Sequence, residues 1–426
     1  MYRVKYIIID NDKIVAMEIE DESTHSVKMV ERDKFIDYSD KLMNASINET
    51  GEVIGTHHDL PKISKDTLKY GVISSSASKK KISTYTLMYE DFLVLQYNRA
   101  SDELKVIDPR YLPFKFRNVE KLTGAMFLEW LIDRVNNISR TYMNMVYIAR
   151  KVGRDRDKII LDSSALSITD NYWIKTNDIE TKWESLVELR DSNREISQVA
   201  LTGLLVDGAD RGLTSLFTTK GHFPKAVIGE YIYKLLTDAE MEYPAYLIGE
   251  QLGIRIAKCE IEDEYLKIKL FTNNEKSLVH ASELKDYFDS DLLYNAVLSN
   301  ERFDIVEDLQ KMYIFNYIIG NPDLHEDNYG CIYNPRTFEI TELAPCYDHN
   351  LAFMEGFNGT TREVVNSDEI LEIDQLARQF IKNPAHSEMV QNLSQISLNE
   401  ASKHLSKLQL EELKQRIDNV MLWSAD

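Results

Sequence analysis

The sequence predicts an α+β fold: a β-rich N-terminal domain, a small sheet with one helix set into it, and a helical C-terminal lobe. Three observations predict it. The first 118 residues hold two hairpin signatures, residues 207–275 follow the order strand, glycine turn, strand, helix, strand, strand, and helical apolar spacing recurs through 276–426. Hydrophobic residues make up 43% of the 426 and prolines number nine, which describes folded cores rather than a disordered chain.

The N-terminal domain, 1–118, opens with β-rich runs at 4–9 and 14–19 around the turn cluster Asp10-Asn11-Asp12-Lys13. A second pair of strands is expected across 84–107 with its turn at 98–102, and the serine- and lysine-rich stretch 74–81 reads as a mobile loop. The next segment, 119–206, is helical or mixed: Phe127, Leu131, Val135 and Ile138 recur at helical spacing, continued by Met145, Ile148 and Ala149, and Tyr172-Trp173-Ile174 reads as core. Strands then follow at 215–219, 226–228 and 231–236, a helix at 240–252 ended by Gly253, and strands at 256–261 and 265–271. The helix 305–319 is apolar over much of its surface, so it is expected to be buried. After it come strands at 330–333 and 338–342 joined by an Asn334-Pro335-Arg336-Thr337 turn, and a final helical stripe of Leu410, Leu413, Ile417, Val420 and Met421.

Charge and cysteine usage bound the function. Acidic residues outnumber basic ones 70 to 50, a net charge of -20, and that argues against a direct nucleic-acid-binding role, because neutralising phosphates needs a dense basic surface. The run Lys79-Lys80-Lys81 reads as a solvated loop. Cys259, Cys331 and Cys346 stand far apart with no C-x-x-C pair, the pattern of a reducing compartment. The start of the chain alternates and turns acidic like a first strand rather than a signal peptide, and no apolar run approaches the ~18 residues of a membrane span. A cytoplasmic protein with no membrane association is expected.

The chemistry concentrates in 321–348. Asn321-Pro322-Asp323-Leu324-His325-Glu326-Asp327-Asn328 puts an aspartate and an asparagine five residues apart in a polar loop behind a buried helix, and Asp348 follows a hairpin that brings the chain back. Phosphoryl transfer needs a carboxylate that holds and deprotonates the attacking hydroxyl, and oxygen ligands that keep magnesium on the nucleotide phosphates. Asp323, Asn328 and Asp348 can fill those roles in that order. A zinc site would want more histidine or cysteine at close spacing. Asp323 also suits a plain turn after a helix, and His325 suits either an orienting hydrogen bond within the loop or packing.

This stretch resembles the HipA-like serine/threonine protein kinases, whose catalytic loop reads N-x-D-x-H-x-x-N and is followed, after a β-hairpin, by a metal-binding aspartate. Here those positions are Asn321, Asp323, His325, Asn328 and Asp348. Upstream, the family's phosphate-binding loop S-x-x-G-x-x-x-K is matched by Thr218, Gly221 and Lys225, with threonine in place of serine. The likeness covers about residues 120–426, including Arg134, Arg140 and the Tyr172 cluster, which are similar to the region ahead of the kinase core in a subgroup of the family. Two departures stand out: the serine is missing, and His349 follows Asp348 where conventional kinases continue with glycine nearby.

The resemblance implies a bilobal protein-kinase-like fold, with 207–275 as the N-lobe and 276–426 as the C-lobe, and ATP and Mg2+ as cofactors. It implies Asp323 as base with His325 beside it, Asn328 and Asp348 on the metal, and Lys234 on the α/β-phosphates with Glu242 as its ion-pair partner. Thr218, Gly221 and Lys225 would cradle phosphate, Lys225 competing with Lys234 for that contact. A protein substrate of unknown identity and a small antitoxin-like partner follow by analogy. So does self-modification of the phosphate-binding loop at Ser215, Thr218 or Thr219. The D-x-x-x-x-N spacing is shared with aminoglycoside and choline phosphotransferases, so a small-molecule phosphotransferase stays open, as does a catalytically silent kinase-fold interaction module.

Overall fold

A computed structural model describes residues 84–135, 156–175, 181–189, 224–290, 293–357 and 373–425, with residues 200, 201 and 359 and short segments between 2 and 64. The loop expected at 74–81, the helical continuation through 136–150 and the strand at 215–219 lie outside the described residues. Two compact units divide the chain: unit 1 takes Met1–Tyr85, Leu128–Leu166 and Ile174–Ile228, and unit 2 takes Thr86–Phe127, Ser167–Trp173 and Gly229–Asp426. Helix and sheet are mixed throughout.

In unit 1, β1 (Tyr2–Asp10) and β2 (Lys13–Asp21) form the antiparallel hairpin expected from the turn cluster, with Ile9 opposite Ile14 and Asp10 opposite Lys13. β3 (Val27–Glu31) pairs with β2, and β6 (Lys62–Ser64) runs parallel to β1, while β4 (Ala45–Ile47) and β5 (Val53–Gly55) make a separate ladder. Met17 and Ile19, two residues apart, are buried together, as the period of a strand requires.

Where two strands are expected across 84–107 there are three: β7 (Thr84–Tyr89), β8 (Phe92–Asn98) and β9 (Glu103–Val106). The extra break falls at Glu90, whose φ is +49°. Asp91 is the one turn-forming residue here, with no glycine, proline or asparagine beside it; Glu90 is held by distant Asn171, accepting from Asn171 Nδ2 at 2.7 Å and donating its amide to Asn171 O at 3.0 Å. The second turn is local, with Asn98 Oδ1 accepting from Ala100 N at 2.9 Å.

Next along the chain come β10 (Tyr172–Lys175) and β11 (Ala226–Ile228). Two small sheets in unit 2 carry the functional loops. β12 (Tyr231–Leu235) and β13 (Cys259–Glu262) flank β14 (Tyr265–Lys269), all antiparallel, over a core of Ala239, Ala257, Leu266 and Ile268. The chain between β12 and β13 forms a short helix, Leu236–Ala239, and then α1 (Glu242–Gln251), which Gly253 ends at φ +72°. The second sheet has the order β15 (Ser277–His280), β16 (Gly330–Tyr333), β17 (Ile340–Leu343).

β15 is absent from the sequence reading because its four residues are too few to show a period. Its backbone lies so close to β16 that a Cβ on Gly330 would stand 2.1 Å from Val279 O. Gly330→Ala is therefore expected to destabilise the protein by about 1–3 kcal/mol, measured by urea denaturation, since a backbone carbonyl cannot swing aside as a side chain can.

Helices complete unit 2: α2 (Ala281–Phe288), α3 (Leu293–Ser299), α4 (Phe303–Ile318), α5 (Ile373–Phe380), α6 (Ser387–Ser394) and α7 (Lys407–Ala425). α4 is buried along most of its length, from Ile305 to Ile318, as its all-round apolar surface leads one to expect. Among the described residues no helix is long and apolar enough to cross a membrane.

Candidate active site

α4 delivers the chain into the loop 321–328. At its end Gly320 has φ +57°, and a Cβ there would meet the Arg416 guanidinium at 2.8 Å. Arg416, from α7, donates Nε to Ile318 O at 2.9 Å, a cation at the C-terminal end of a helix where the dipole favours it.

A ladder of buried amides then sets the loop. Asn316 Nδ2 donates to Met312 O at 2.9 Å, Asn321 Nδ2 to Asn316 Oδ1 at 2.8 Å, and Asp323 N to Asn321 Oδ1 at 3.1 Å. Each rung uses groups that would be costly to bury unpaired, so the register of Asp323 against α4 is strongly specified. Asn328 Nδ2 folds back onto Asp323, donating to its backbone O at 2.8 Å and more weakly to Oδ2 at 3.4 Å. His325 hydrogen-bonds inside the loop: its O accepts from Asn328 N at 2.7 Å and its Nδ1 from Asp327 N at 3.3 Å. The rim is pinned by the Lys285–Glu326 ion pair at 2.7 Å.

Asp348 follows β17 in a left-handed conformation, φ +61°, which turns the backbone sharply. Hydrogen bonds bracket it. Before it, Tyr347 OH donates to Asp327 O at 3.3 Å; after it, Phe353 N donates to Ile319 O at 2.6 Å and Met354 N to Gly320 O at 3.2 Å. The segment that carries Asp348 is thus tied to the residues just before Asn321 and just before Asn328.

Lys234 reaches the same aspartate from β12. Its Nζ donates to Asp348 Oδ1 at 2.8 Å and to Glu242 Oε1, the first residue of α1, and both Lys234 and Glu242 are buried, at 3% and 6% exposure. Burial by itself pulls the ammonium's pKa down; the Asp348 and Glu242 carboxylates outweigh it, so Lys234 is held above its ordinary value and stays charged. Asn328 and Asp348 offer an amide and a carboxylate, hard oxygen donors of the kind magnesium takes alongside phosphate oxygens and water, so these residues fit that ion. Among the described residues, no group of three or more histidine, cysteine, aspartate or glutamate side chains is arranged to hold a metal.

His349, next in the chain, is buried with its ring edge-on to Phe315 at 5.4 Å between centroids. Burial pushes its pKa down from 6.5 to about 4, the Lys234 charge acting in the same direction and Asp348 against it. Between those pH values the unfolded chain binds the proton and the folded one does not. This contribution to stability is therefore full above pH 6.5 and lost as pH falls towards 4, by about 3 kcal/mol in all. His386 is shifted down by burial too, so the measurement is a comparison: metal-free wild type should lose stability over this window more steeply than His349→Gln.

Of the residues singled out in the sequence, Lys234, Glu242 and Asp348 meet directly, and Asp323, His325 and Asn328 meet within one loop. Lys225 is buried just ahead of the strand Ala226–Ile228 and belongs to unit 1; Thr218 and Gly221 lie outside the described residues, as do Ser215 and Thr219. Sequence reasoning passed over Asn316, Tyr347, His280 and Ser282. An asparagine inside the apolar run of α4 was a signal for the first; the others act through contacts between distant segments.

Residues 217–401 match the HipA-like C-terminal domain family. No curated protein matches the chain. Among solved structures, a Helicobacter pylori proinflammatory kinase, CtkA, is 14% identical, with 47% of this chain and 92% of that one covered and a TM-score of 0.34. HipA of Shewanella oneidensis MR-1, solved in a toxin–antitoxin complex with HipB and its operator DNA, is 12% identical, with 80% of this chain and 96% of that one covered and a TM-score of 0.44. The matched segment holds Lys234, Glu242, the 321–328 loop and Asp348, and over those residues the chain is similar to the HipA-like C-terminal domain.

Proposed function

We propose that the protein is a kinase with a bilobal protein-kinase-like core, N-lobe 207–275 and C-lobe 276–426, that transfers the γ-phosphoryl group of ATP to a serine or threonine hydroxyl of a protein. The observation that carries this reading is the meeting of Lys234 with both Glu242 and Asp348, beside a loop in which Asn328 is bonded back to Asp323. Magnesium, when bound, would supply positive charge to offset that of the phosphates.

Within that scheme Lys234 binds the α/β-phosphates, and Glu242 keeps its ammonium pointed and charged. Asn328 and Asp348 would hold the metal through their side-chain oxygens. Asp323 accepts a hydrogen bond from the acceptor hydroxyl and takes its proton as the new P–O bond forms, while the bond from the γ-phosphorus to the β,γ-bridging oxygen breaks and ADP leaves with that electron pair; the amide ladder below Asp323 keeps its carboxylate in place. His325 orders the loop through its own hydrogen bonds. From the family resemblance alone, Thr218, Gly221 and Lys225 are assigned to phosphate contact. Phosphate added to Ser215, Thr218 or Thr219 would repel ATP and switch the enzyme off. By analogy with HipA, which was solved with HipB, a small antitoxin-like protein is the partner proposed for this chain.

The test is incubation of the purified protein with γ-labelled ATP and magnesium, scoring label on protein and ADP release, with mass spectrometry of the 215–219 segment. Magnesium-dependent label on serine or threonine is expected. Tight nucleotide binding with neither label nor turnover would favour a silent interaction module, and transfer to a small cationic alcohol in place of protein would favour a small-molecule phosphotransferase.

A further inference from the structure

Tyr347 ties together two parts of the site that the chemistry needs at a fixed spacing. Its ring, partly buried, packs into the core under β12–β14 and also into the Leu278, Ile332 and Ala344 cluster of the second sheet, beside Phe271 at 5.6 Å between centroids. Its hydroxyl stands 3.0 Å from His280 Nδ1 and 3.3 Å from Asp327 O. A hydroxyl has one proton and two lone pairs, so donation to the Asp327 carbonyl leaves it able to accept from a His280 Nδ1–H.

Both partners are themselves fixed. His280 is the last residue of β15 and stands opposite Gly330 in the ladder. Asp327 accepts through Oδ1 from Ser282 Oγ at 2.6 Å, while Ser282 N donates to Glu326 O at 3.3 Å and Ala281 N to Tyr329 O at 3.0 Å. The segment 280–282 is thus laced to 326–330. Asp327 immediately precedes Asn328, and Tyr347 immediately precedes Asp348.

We infer that Tyr347 is a positioning residue, whose hydroxyl, held between His280 and Asp327, sets the spacing of Asn328 and Asp348 and with it the affinity for the divalent cation. Resting on the proposed function, this role lies in no group that touches ATP or metal. Outer groups that orient metal ligands commonly contribute 10–100-fold to metal affinity, and Tyr347→Phe deletes one O–H while keeping the ring that packs.

The experiment titrates magnesium against the protein at fixed ATP, with ATP binding in EDTA and thermal melting measured in parallel. Tyr347→Phe should raise the magnesium concentration for half-maximal binding by about tenfold, with EDTA binding and the melting temperature close to wild type. His280→Ala should shift the requirement in the same direction, and the double variant should exceed Tyr347→Phe only slightly, because both act through one hydroxyl. An unchanged magnesium requirement in Tyr347→Phe overturns the inference alone. So does a parallel fall in melting temperature and EDTA binding, which would mark a packing role, or full additivity with His280→Ala. Wild-type protein whose ATP binding ignores magnesium overturns the proposed function and this inference together.

Discussion

Asp323→Asn is expected to slow phosphoryl transfer by about 10²–10⁴-fold while magnesium-dependent ATP binding stays within about threefold of wild type. The substitution is nearly isosteric, and the main hydrogen bond from Asn328 goes to the backbone oxygen of residue 323, so the loop keeps its shape. The backbone amide of 323 likewise still donates to Asn321 Oδ1. What disappears is a group able to take the proton of the attacking hydroxyl. Single-turnover label transfer, with ATP binding measured alongside, separates the two effects. Transfer at the wild-type rate would remove Asp323 from the role of base, and loss of ATP binding of the same size would mean that the carboxylate serves the metal. Asp348→Asn makes the opposite expectation, a raised magnesium requirement, because it weakens an oxygen ligand and one arm of the Lys234 contact together.

How much of this was legible in the sequence follows from the distance over which each contact acts. Asp323, His325 and Asn328 stand within six positions of one another, and their mutual hydrogen bonds are made within the loop, so spacing alone carries them. Asp348 is harder, yet the turn residues 334–337 between two strands imply that the chain comes back. Lys234 and Glu242 are also close in sequence, one on a strand and one at the head of the following helix. The position of β15 depends instead on a ladder to a segment some fifty residues later, with glycine at 330 as its one trace in the sequence. The Tyr347 bonds to His280 and Asp327 leave no trace at all, because tyrosine next to aspartate has no pattern of its own. The turn at Glu90 was missed for the same reason, being held by Asn171 rather than by its own neighbours.

The second large effect is on stability. Lys234→Met should destabilise the nucleotide-free protein by about 3–5 kcal/mol, because the substitution leaves the buried Glu242 carboxylate without the ammonium that offsets its desolvation. Asp348 loses the same partner but keeps 17% side-chain exposure, so water compensates it in part and Glu242 bears most of the cost. Two variants make this separable. If the penalty is a stranded charge, Lys234→Met combined with Glu242→Leu should recover much of the lost stability in urea denaturation, since an apolar pair can fill the space that an ion pair occupied. Phosphoryl transfer should stay lost in both, because neither protein has an ammonium to set on the phosphates. Equal stability of Lys234→Met and wild type would show that the pair is solvated rather than buried. A double variant less stable than Lys234→Met would show that Glu242 holds the strand-to-helix connection through its other contacts. Recovery of stability without recovery of transfer is the outcome that identifies the Lys234–Glu242 pair as a charge arrangement kept for its chemistry at a cost to the fold.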